Sequence, residues 1–208
     1  MIPVNVLAVR YLANASPSLA KGLGAPAGMP SLGMLTTDCD DATYIALDAA
    51  TKAADVQVSF GRSFYAGAAN ASTPNAGEVI GVLAGATPGA VRSGMEAALS
   101  ALERLGFEET HGVPFLAHTV ASVGSFLAKE AGVPVGSAIA YLIAPPLEGM
   151  YAMDAALKAA DVKLCKLYTP PSETNFGGGL LSGTQSACQA ACAAFADAVS
   201  EVAANPRE

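Results

Sequence analysis

The amino-acid sequence predicts a mixed α/β (α+β) fold built from two tandem copies of one unit in which helices pack on a sheet. The first observation is an internal repeat: ALDAATKAADVQV at 46–58 and AMDAALKAADVKL at 152–164 agree at nine of thirteen positions, 106 residues apart. The second is an alternation of strand-like and helix-like patterns, which excludes an all-helical bundle. The third is composition, since 52% hydrophobic and 14% charged residues allow packed cores in a chain of 208 residues.

The repeat extends well beyond this helix. LAKGLG at 19–24 matches LAKEAG at 127–132 at an offset of 108 residues, and upstream Leu7-Ala8 matches Leu116-Ala117. Each copy therefore reads as strand, short helix, strand, helix, strand, long connection, strand, helix. A repeat of about half the chain length favours two small domains over one large domain. We place the first domain at 1–110 and the second at 111–208.

The elements of the first copy follow from local patterns. A buried strand is predicted over Ser31–Thr37, and a second apolar strand over 78–84. Between them, alternation of Val56, Val58 and Phe60 predicts a half-buried strand. The helix before that strand has an apolar stripe at helical spacing, formed by Ala42, Ile45, Ala49 and Ala53.

Two further helices complete the copies. In the first copy, Thr87 is predicted to cap a helix that has Pro88 in its first turn. Its buried stripe is Val91, Met95, Ala98 and Leu102, and Gly106 is predicted to end it. In the second copy, the stripe of the last helix is Ala187, Ala191, Ala194 and Ala198.

Charge and hydropathy exclude several classes of function. A formal net charge of −7 argues against binding to nucleic acid, whose phosphates require a basic face. No uninterrupted apolar segment reaches about 18 residues, so we expect no membrane span. The first residues lack a basic stretch followed by an apolar one, which argues against a signal peptide. We therefore expect a cytoplasmic protein in which Cys39, Cys165, Cys188 and Cys192 are reduced.

Motifs for catalysis, metals and cofactors are weak. The acidic run DCDD at 38–41 lacks the glycine and glutamate of a calcium loop, because its sixth and twelfth positions are Thr43 and Ala49. Cys188 and Cys192 fall on one helical face and are expected to be small core residues. His111 and His118 are expected to be structural. We therefore predict no enzyme, no catalytic residue, no metal and no cofactor.

Two long connections interrupt the copies at equivalent places. The first is GRSFYAGAANASTPNAG at 61–77 and the second is YTPPSETNFGGG at 168–179. Most connections in compact domains are about 4–6 residues long, so these are unusual. One interpretation is a solvated connection. The other is a moving gate with hinge glycines and bulky side chains, for which the candidate residues are Gly61, Arg62, Ser63, Phe64, Tyr65 and Gly67.

Long runs of this sequence resemble a known family. SLGMLTTDCDDATYIALDAATKAADVQVSFGRSFYAGAA at 31–69 and AGEVIGVLAG at 76–85 are similar to the bacterial microcompartment shell domain. AYLIAPPLEGMYAMDAALKAADVKL at 140–164 and PPSETNFGGG at 170–179 are similar to the same family. The likeness covers nearly the whole chain, and it is strongest to the tandem-domain, L-type shell proteins of ethanolamine-utilising compartments.

The resemblance implies an architecture and a set of partners. Each half would be a circularly permuted shell domain, and three chains would form a homotrimer with a pseudohexameric outline. This trimer would join other shell proteins in the microcompartment shell, and the paired loops would surround a gated central pore for small metabolites such as ethanolamine. On this view, the duplication allows three chains to form the outline of a hexamer, while the two copies of the repeat diverge in sequence.

The resemblance also implies a substrate-binding site between subunits. Its residues would be Asp40, Asp41 and Glu78, with Glu173 and Thr174 as contributors from the second copy. Carboxylates suit the ammonium group of ethanolamine, whereas the simpler interpretation of DCDD is a set of acids that favour the start of a helix. Glu148 is expected near the start of the corresponding helix in the second copy, and the alternative is that it caps this helix. Arg62 would pair with a carboxylate of a neighbouring subunit and hold the gate shut, and the alternative is a surface ion pair. An amine-binding sensor without a shell role remains an alternative function at this point.

Overall fold

Each copy of the repeat folds around an antiparallel sheet with helices packed on it. The computed structural model describes residues 1–64, 77–170, 172 and 174–207. It divides into two units. The first consists of Pro3–Leu105 and Gly124–Leu127, and the second of Met1–Ile2, Gly106–Val123 and Ala128–Glu208. The domain boundary between residues 110 and 111 stays a prediction.

The first unit contains four strands and three helices. Its elements are β2 (Val6–Leu12), α1 (Pro17–Gly22), β3 (Ser31–Thr37), α2 (Asp40–Ala53), β4 (Val56–Ser63), β5 (Val79–Gly85) and α3 (Pro88–Leu102). The strands form an antiparallel sheet in the order β2-β3-β5-β4. Helices α2 and α3 pack against each other and against this sheet.

The second unit repeats this plan. Its sheet has the order β1-β6-β7-β8-β10-β9, in which the last four strands correspond to β2-β3-β5-β4. Within the unit, α5 and α6 pack against each other and against the sheet. Its elements are β1 (Ile2–Pro3), β6 (Gly106–Thr110), β7 (Val113–Val120), α4 (Ser125–Ala131), β8 (Ala138–Ala144), α5 (Pro146–Ala159), β9 (Val162–Tyr168), β10 (Gly177–Gly183) and α6 (Gln185–Ala204). The shared strand order confirms the predicted fold class and its duplication.

The buried faces of the helices match the predicted stripes fully on α3 and in part on α2 and α6. On α6, Ala187 and Ala194 of the predicted stripe are only partly buried. All four stripe residues of α3 are buried, and the Thr87 hydroxyl accepts a hydrogen bond of 3.2 Å from the N–H of Ala90. On α2 the buried face runs through Ala42 and Ile45, but Ala49 is only partly buried and Ala53 is exposed. The core of the second unit includes Cys188 and Cys192, as predicted, packed with Phe195.

The end of α3 differs from the prediction. The helix ends at Leu102 rather than at Gly106, which is the first residue of β6. A Cβ atom at Gly106 would lie 2.1 Å from the carbonyl oxygen of Ile2, so this glycine permits a close strand approach instead of a helix cap. The hairpin between β6 and β7 was not predicted; it turns through His111 and Gly112, which both have positive φ.

The first long connection begins later than predicted. Residues 61–63 continue strand β4, because they pair with β5 in the register Gly61–Gly81, Arg62–Ile80 and Ser63–Val79. Tyr65, Gly67 and the rest of 65–76 lie outside the described residues. The second connection is also shorter than predicted, since Tyr168 is the last residue of β9 and residues 177–179 are the first residues of β10. Among the described residues, no helix has both the length and the apolar character that a transmembrane span requires.

Candidate functional site

Three of the predicted binding residues meet at one edge of the first unit. Asp40 and Asp41 follow β3, and Glu78 precedes β5. These strands are antiparallel neighbours in which Thr37 pairs with Val79, so the end of β3 lies beside the start of β5. The N–H of Glu78 donates to the Thr37 carbonyl at 2.8 Å. We call Asp38, Asp40, Asp41 and Glu78 the acidic cluster.

Gly77 allows the two chain segments to approach this closely. A Cβ atom at residue 77 would lie 2.0 Å from the carbonyl oxygen of Thr37, which no side chain can tolerate. The backbone of Glu78 is held on both sides, because its N–H donates to Thr37 and its carbonyl accepts from the N–H of Phe64 at 2.9 Å. The position of Glu78 is therefore fixed by backbone hydrogen bonds.

Hydroxyl groups shape the entry into α2. The Thr43 hydroxyl donates to the Cys39 carbonyl at 2.8 Å and lies 2.7 Å from the Thr37 hydroxyl. The Thr37 oxygen accepts from the N–H of Cys39 at 3.2 Å. Asp38 is drawn away from the helix, because its carboxylate accepts from both the backbone and the side-chain amide of Asn5, at 2.8 and 2.6 Å.

The two remaining aspartates lie in the first turn of α2. That position was the simpler interpretation of DCDD, and the partial positive charge of a helix start favours it. Neither aspartate is the N-cap residue of α2. That residue is Cys39, and its side chain makes no capping hydrogen bond. Both side chains are instead buried, and Asp40 Oδ1 accepts from the N–H of Asp41 at 2.9 Å.

A chain of hydroxyl groups reaches Asp40 from the neighbouring strand. Ser63 hydrogen-bonds the Asp40 carboxylate, and its hydroxyl lies 2.6 Å from the hydroxyl of Tyr44. Ser63 was predicted in a gate segment, but it is the last residue of β4 and contacts the acidic cluster. Tyr44 was missed, although its position four residues after Asp40 places both on one helix face.

The electrostatics of the acidic cluster favour a cation. Burial raises the pKa of Asp40, an effect that hydrogen bonds from Ser63 and the Asp41 backbone partly oppose. Burial, followed by the charges of Asp40 and Asp38, raises the pKa of Glu78 to about 7. The Cys39 thiol has its pKa raised strongly, again mainly by burial. A positive group placed among these carboxylates would stabilise their ionised forms and lower their pKa values.

The second copy has no equivalent acidic pair. At the offset of 106 residues, Asp40 and Asp41 correspond to Pro146 and Leu147. Glu148 lies in the first turn of α5, and the N-cap residue, Pro145, has no side-chain cap hydrogen bond. The two copies have therefore diverged at the start of this helix.

Of the remaining predicted residues, Glu173 and Thr174 belong to the second copy and Arg62 belongs to strand β4. Thr174 belongs to the second unit, where its N–H donates to Ser172 Oγ at 3.4 Å. Glu173 lies outside the described residues. The guanidinium of Arg62 is 6.0 Å from the ring centroid of Phe60, two residues away on β4. Within the part of the chain that is described, no group of three or more His, Cys, Asp or Glu side chains is placed to hold a metal ion.

A buried aspartate on α2 was missed by the sequence analysis. Asp48 has no exposed side-chain surface, and its carboxylate accepts from the N–H groups of Gly124 and Leu127 at 2.7 and 2.9 Å. Beside it, the Thr51 hydroxyl accepts from the N–H of Ser125 at 3.1 Å. These hydrogen bonds hold Gly124–Leu127 on α2 as part of the first unit.

Comparison with known proteins gives full-length matches. The family model described as the BMC domain matches residues 31–115. The chain is 56% identical to the bacterial microcompartment shell protein EutL of Clostridium perfringens (strain 13 / Type A), over 99% of this chain and 97% of that protein. It is 47% identical to the shell protein EutL of Escherichia coli (strain K12), over 99% and 96% of the two chains. The crystal structure of the ethanolamine utilization protein EutL from Leptotrichia buccalis C-1013-b matches with a TM-score of 0.95 and 56% identity, covering 100% of this chain and 97% of that one.

Proposed function

This chain belongs to the bacterial microcompartment shell proteins, and we propose that it forms trimeric, pseudohexameric tiles with a gated pore for small metabolites such as ethanolamine. Members of this family are structural rather than catalytic, so the chain is a shell component and not an enzyme. Two observations support the proposal. The two units of the chain share the same strand order, and the chain is 56% identical to a shell protein over 99% of its length. A sensor without a shell role is not favoured by that identity.

The duplication supports three chains in a closed ring. When one face of a chain binds a different face of the next chain, the contact repeats head to tail. The chains form a closed ring if the rotations between successive chains add up to a full turn. If each chain supplies two similar units, three chains supply six. The outline of such a trimer is that of a hexamer, and it can occupy a hexagonal position beside other shell proteins.

The acidic cluster is the proposed site for an amine at a junction between subunits. Asp40, Asp41 and Glu78 supply carboxylates for an ammonium group, and we assign Glu173 and Thr174 as contributors from the second copy. Hydrogen bonds to charged groups contribute about 1.5–3 kcal/mol each, so a few of them give weak, reversible binding. Weak binding suits a small metabolite in transit better than one in storage.

The proposed gate of the pore is a segment at the end of β4. We assign Gly61, Arg62, Ser63, Phe64, Tyr65 and Gly67 to it, with residues 61–63 as the strand that supports it. Ser63 links this segment to Asp40, which gives an amine at the acidic cluster a route to influence the pore. A ligand changes the population of an open or closed state only if its affinities for the two states differ.

Two experiments test the proposal. Electron microscopy of the purified chain at high concentration should reveal flat hexagonal arrays, and a protein that stays dispersed and monomeric contradicts the tile. Calorimetry with ethanolamine should detect weak binding that ethylene glycol, which lacks the ammonium, does not reproduce. Asp40→Asn should abolish that signal, while Glu96→Gln on the exposed face of α3 should leave it unchanged.

A further inference from the structure

We propose that a surface on α5, formed by Leu147, Tyr151 and Asp154, binds residues 16–19 of a second copy of this chain. We call it the α5 surface. In this contact the Leu19 side chain of one copy packs on the α5 surface of the next. The inference deepens the proposed trimer and rests on it, because it assigns the residues through which successive chains meet.

The template for this contact is present in the first unit. Asp41, Ile45 and Asp48 form one face of α2, and all three are buried. The segment Gly124–Leu127 contacts α2 at Asp48, which accepts two hydrogen bonds from it, and at Tyr44, whose ring centroid lies 5.9 Å from that of Phe126. This is therefore an occupied surface whose occupant is a known four-residue segment.

The internal repeat identifies the counterparts of both sides. The offset of 106 residues takes Asp41, Ile45 and Asp48 to Leu147, Tyr151 and Asp154, the α5 surface. The offset of 108 residues takes Gly124–Leu127 to 16–19. The second equivalence also holds in the backbone, since Gly24 and Gly132 follow the two short helices with φ angles of 68° and 64°.

Burial differs sharply between the two sets. Leu127 is 1% exposed, whereas its counterpart Leu19 is 45% exposed. Ile45 is 5% exposed and Tyr151 is 49% exposed. The side chain of Asp48 is 0% exposed and that of Asp154 is 65% exposed. Both halves of the second contact are thus present in the chain, and both are open to solvent.

A second copy is the occupant that satisfies both open halves. Each chain has one α5 surface and one segment 16–19, so the contact uses two different faces and repeats head to tail. In a ring of three chains this contact occurs three times, once between each chain and the next.

The proposed contact is looser than its template. A Cβ atom at Gly124 would lie 2.2 Å from Thr51 Oγ1, so the template needs a glycine for its close approach. The counterparts of this pair are Ser16 and Leu157, which are both larger. The backbones must therefore stay further apart, and the contact between chains relies on the side chains of Leu19, Leu147 and Tyr151.

Crosslinking gives the direct test. The full-length double variant Leu19→Cys with Asp154→Cys is treated with a short bis-maleimide, because the template places the counterparts Leu127 and Asp48 in hydrogen-bond contact. We expect covalent species of two and three chains on a denaturing gel. Each single variant and the pair Leu19→Cys with Val135→Cys, which keeps an exposed site outside the surface, are the controls.

Substitution gives an independent readout. Leu19→Asp and Tyr151→Asp should each raise the concentration at which half of the trimer dissociates by at least about tenfold, whereas Val135→Asp should change it less than about twofold. Circular dichroism verifies that each variant is folded. A wild-type trimer that neither aspartate weakens and that yields no interchain crosslink overturns this inference and leaves the trimer intact. A wild-type chain that is monomeric overturns the trimer itself.

Discussion

Replacing Glu78 by glutamine should remove a pH dependence of stability that the wild-type chain carries. The folded-state pKa of Glu78 is about 7, against an ordinary value of 4.5, because the side chain is half-buried beside Asp40 and Asp38. A carboxyl group whose pKa is raised on folding binds a proton more tightly in the folded state. Its contribution to stability is therefore complete below pH 4.5 and is lost as the pH rises through about 7.

The size of the effect follows from the difference between the two pKa values. Each pKa unit corresponds to about 1.4 kcal/mol, which gives an upper limit of roughly 3 kcal/mol. Contact with water screens a half-buried charge, so we expect the wild-type chain to lose about 1–2 kcal/mol of unfolding free energy between pH 5 and pH 8. Glu78→Gln cannot ionise and should lack this loss.

Urea unfolding at a fixed protein concentration measures the difference, because the stability of an oligomer depends on concentration. The unfolding free energy of Glu78→Gln should exceed that of the wild type at pH 8 and approach it at pH 5. Glu96→Gln, which removes an exposed carboxylate of α3, serves as the matched control and should follow the wild type. Equal pH slopes in Glu78→Gln and the wild type would contradict a raised pKa of Glu78 in the folded state.

Three further outcomes are expected. Asp48→Ala should lower the unfolding free energy by about 2–3 kcal/mol, because two buried N–H groups lose their acceptor, whereas Asp55→Ala on the surface should change it by less than about 0.5 kcal/mol; urea unfolding measures both. Gly77→Ala should destabilise the fold and weaken ethanolamine binding in calorimetry, because the added Cβ atom would clash with the carbonyl oxygen of Thr37. Gly22→Ala should do neither, because a Cβ atom there has no neighbouring atom within 4 Å. Ethanolamine binding near pH 6 should release protons, because an ammonium favours the ionised Glu78 carboxylate, and calorimetry in buffers of different ionisation enthalpy detects that release.

The elements that could be predicted from the sequence are those with local causes. Helix α3 needed only the Thr87-Pro88 start and an apolar stripe at helical spacing, and all four stripe residues are buried. Strand β3 was bounded correctly at Ser31 and Thr37, because its burial is nearly continuous. The duplication was visible as a repeat, and the two sheets share their strand order.

The errors arose where distant residues decide the structure. Gly106 resembles a helix end in sequence, but its role depends on the approach of Ile2, over a hundred residues earlier. The strand β4 extends to Ser63 because β5 supplies partners that the sequence of 61–63 does not reveal. Asp38 is held by Asn5, which lies 33 residues away, whereas Asp40 and Asp41 are buried in the first turn of α2.

The candidate site was predictable only in part. The DCDD run marked Asp40 and Asp41, and the family resemblance added Glu78. The hydroxyl chain through Ser63 and Tyr44 needed the pairing of β4 with β5 and the packing of α2. Asp48 showed no signal beyond its repetition at Asp154, since an aspartate in an alanine-rich helix is more often exposed.

Electron cryo-microscopy of the assembled protein is the most direct test of the proposed trimer. We expect a ring of three chains with six similar lobes around a central opening, and residues 16–19 of each chain on α5 of the next. A ring of six chains, a two-fold dimer or a monomeric particle would contradict the proposed trimer.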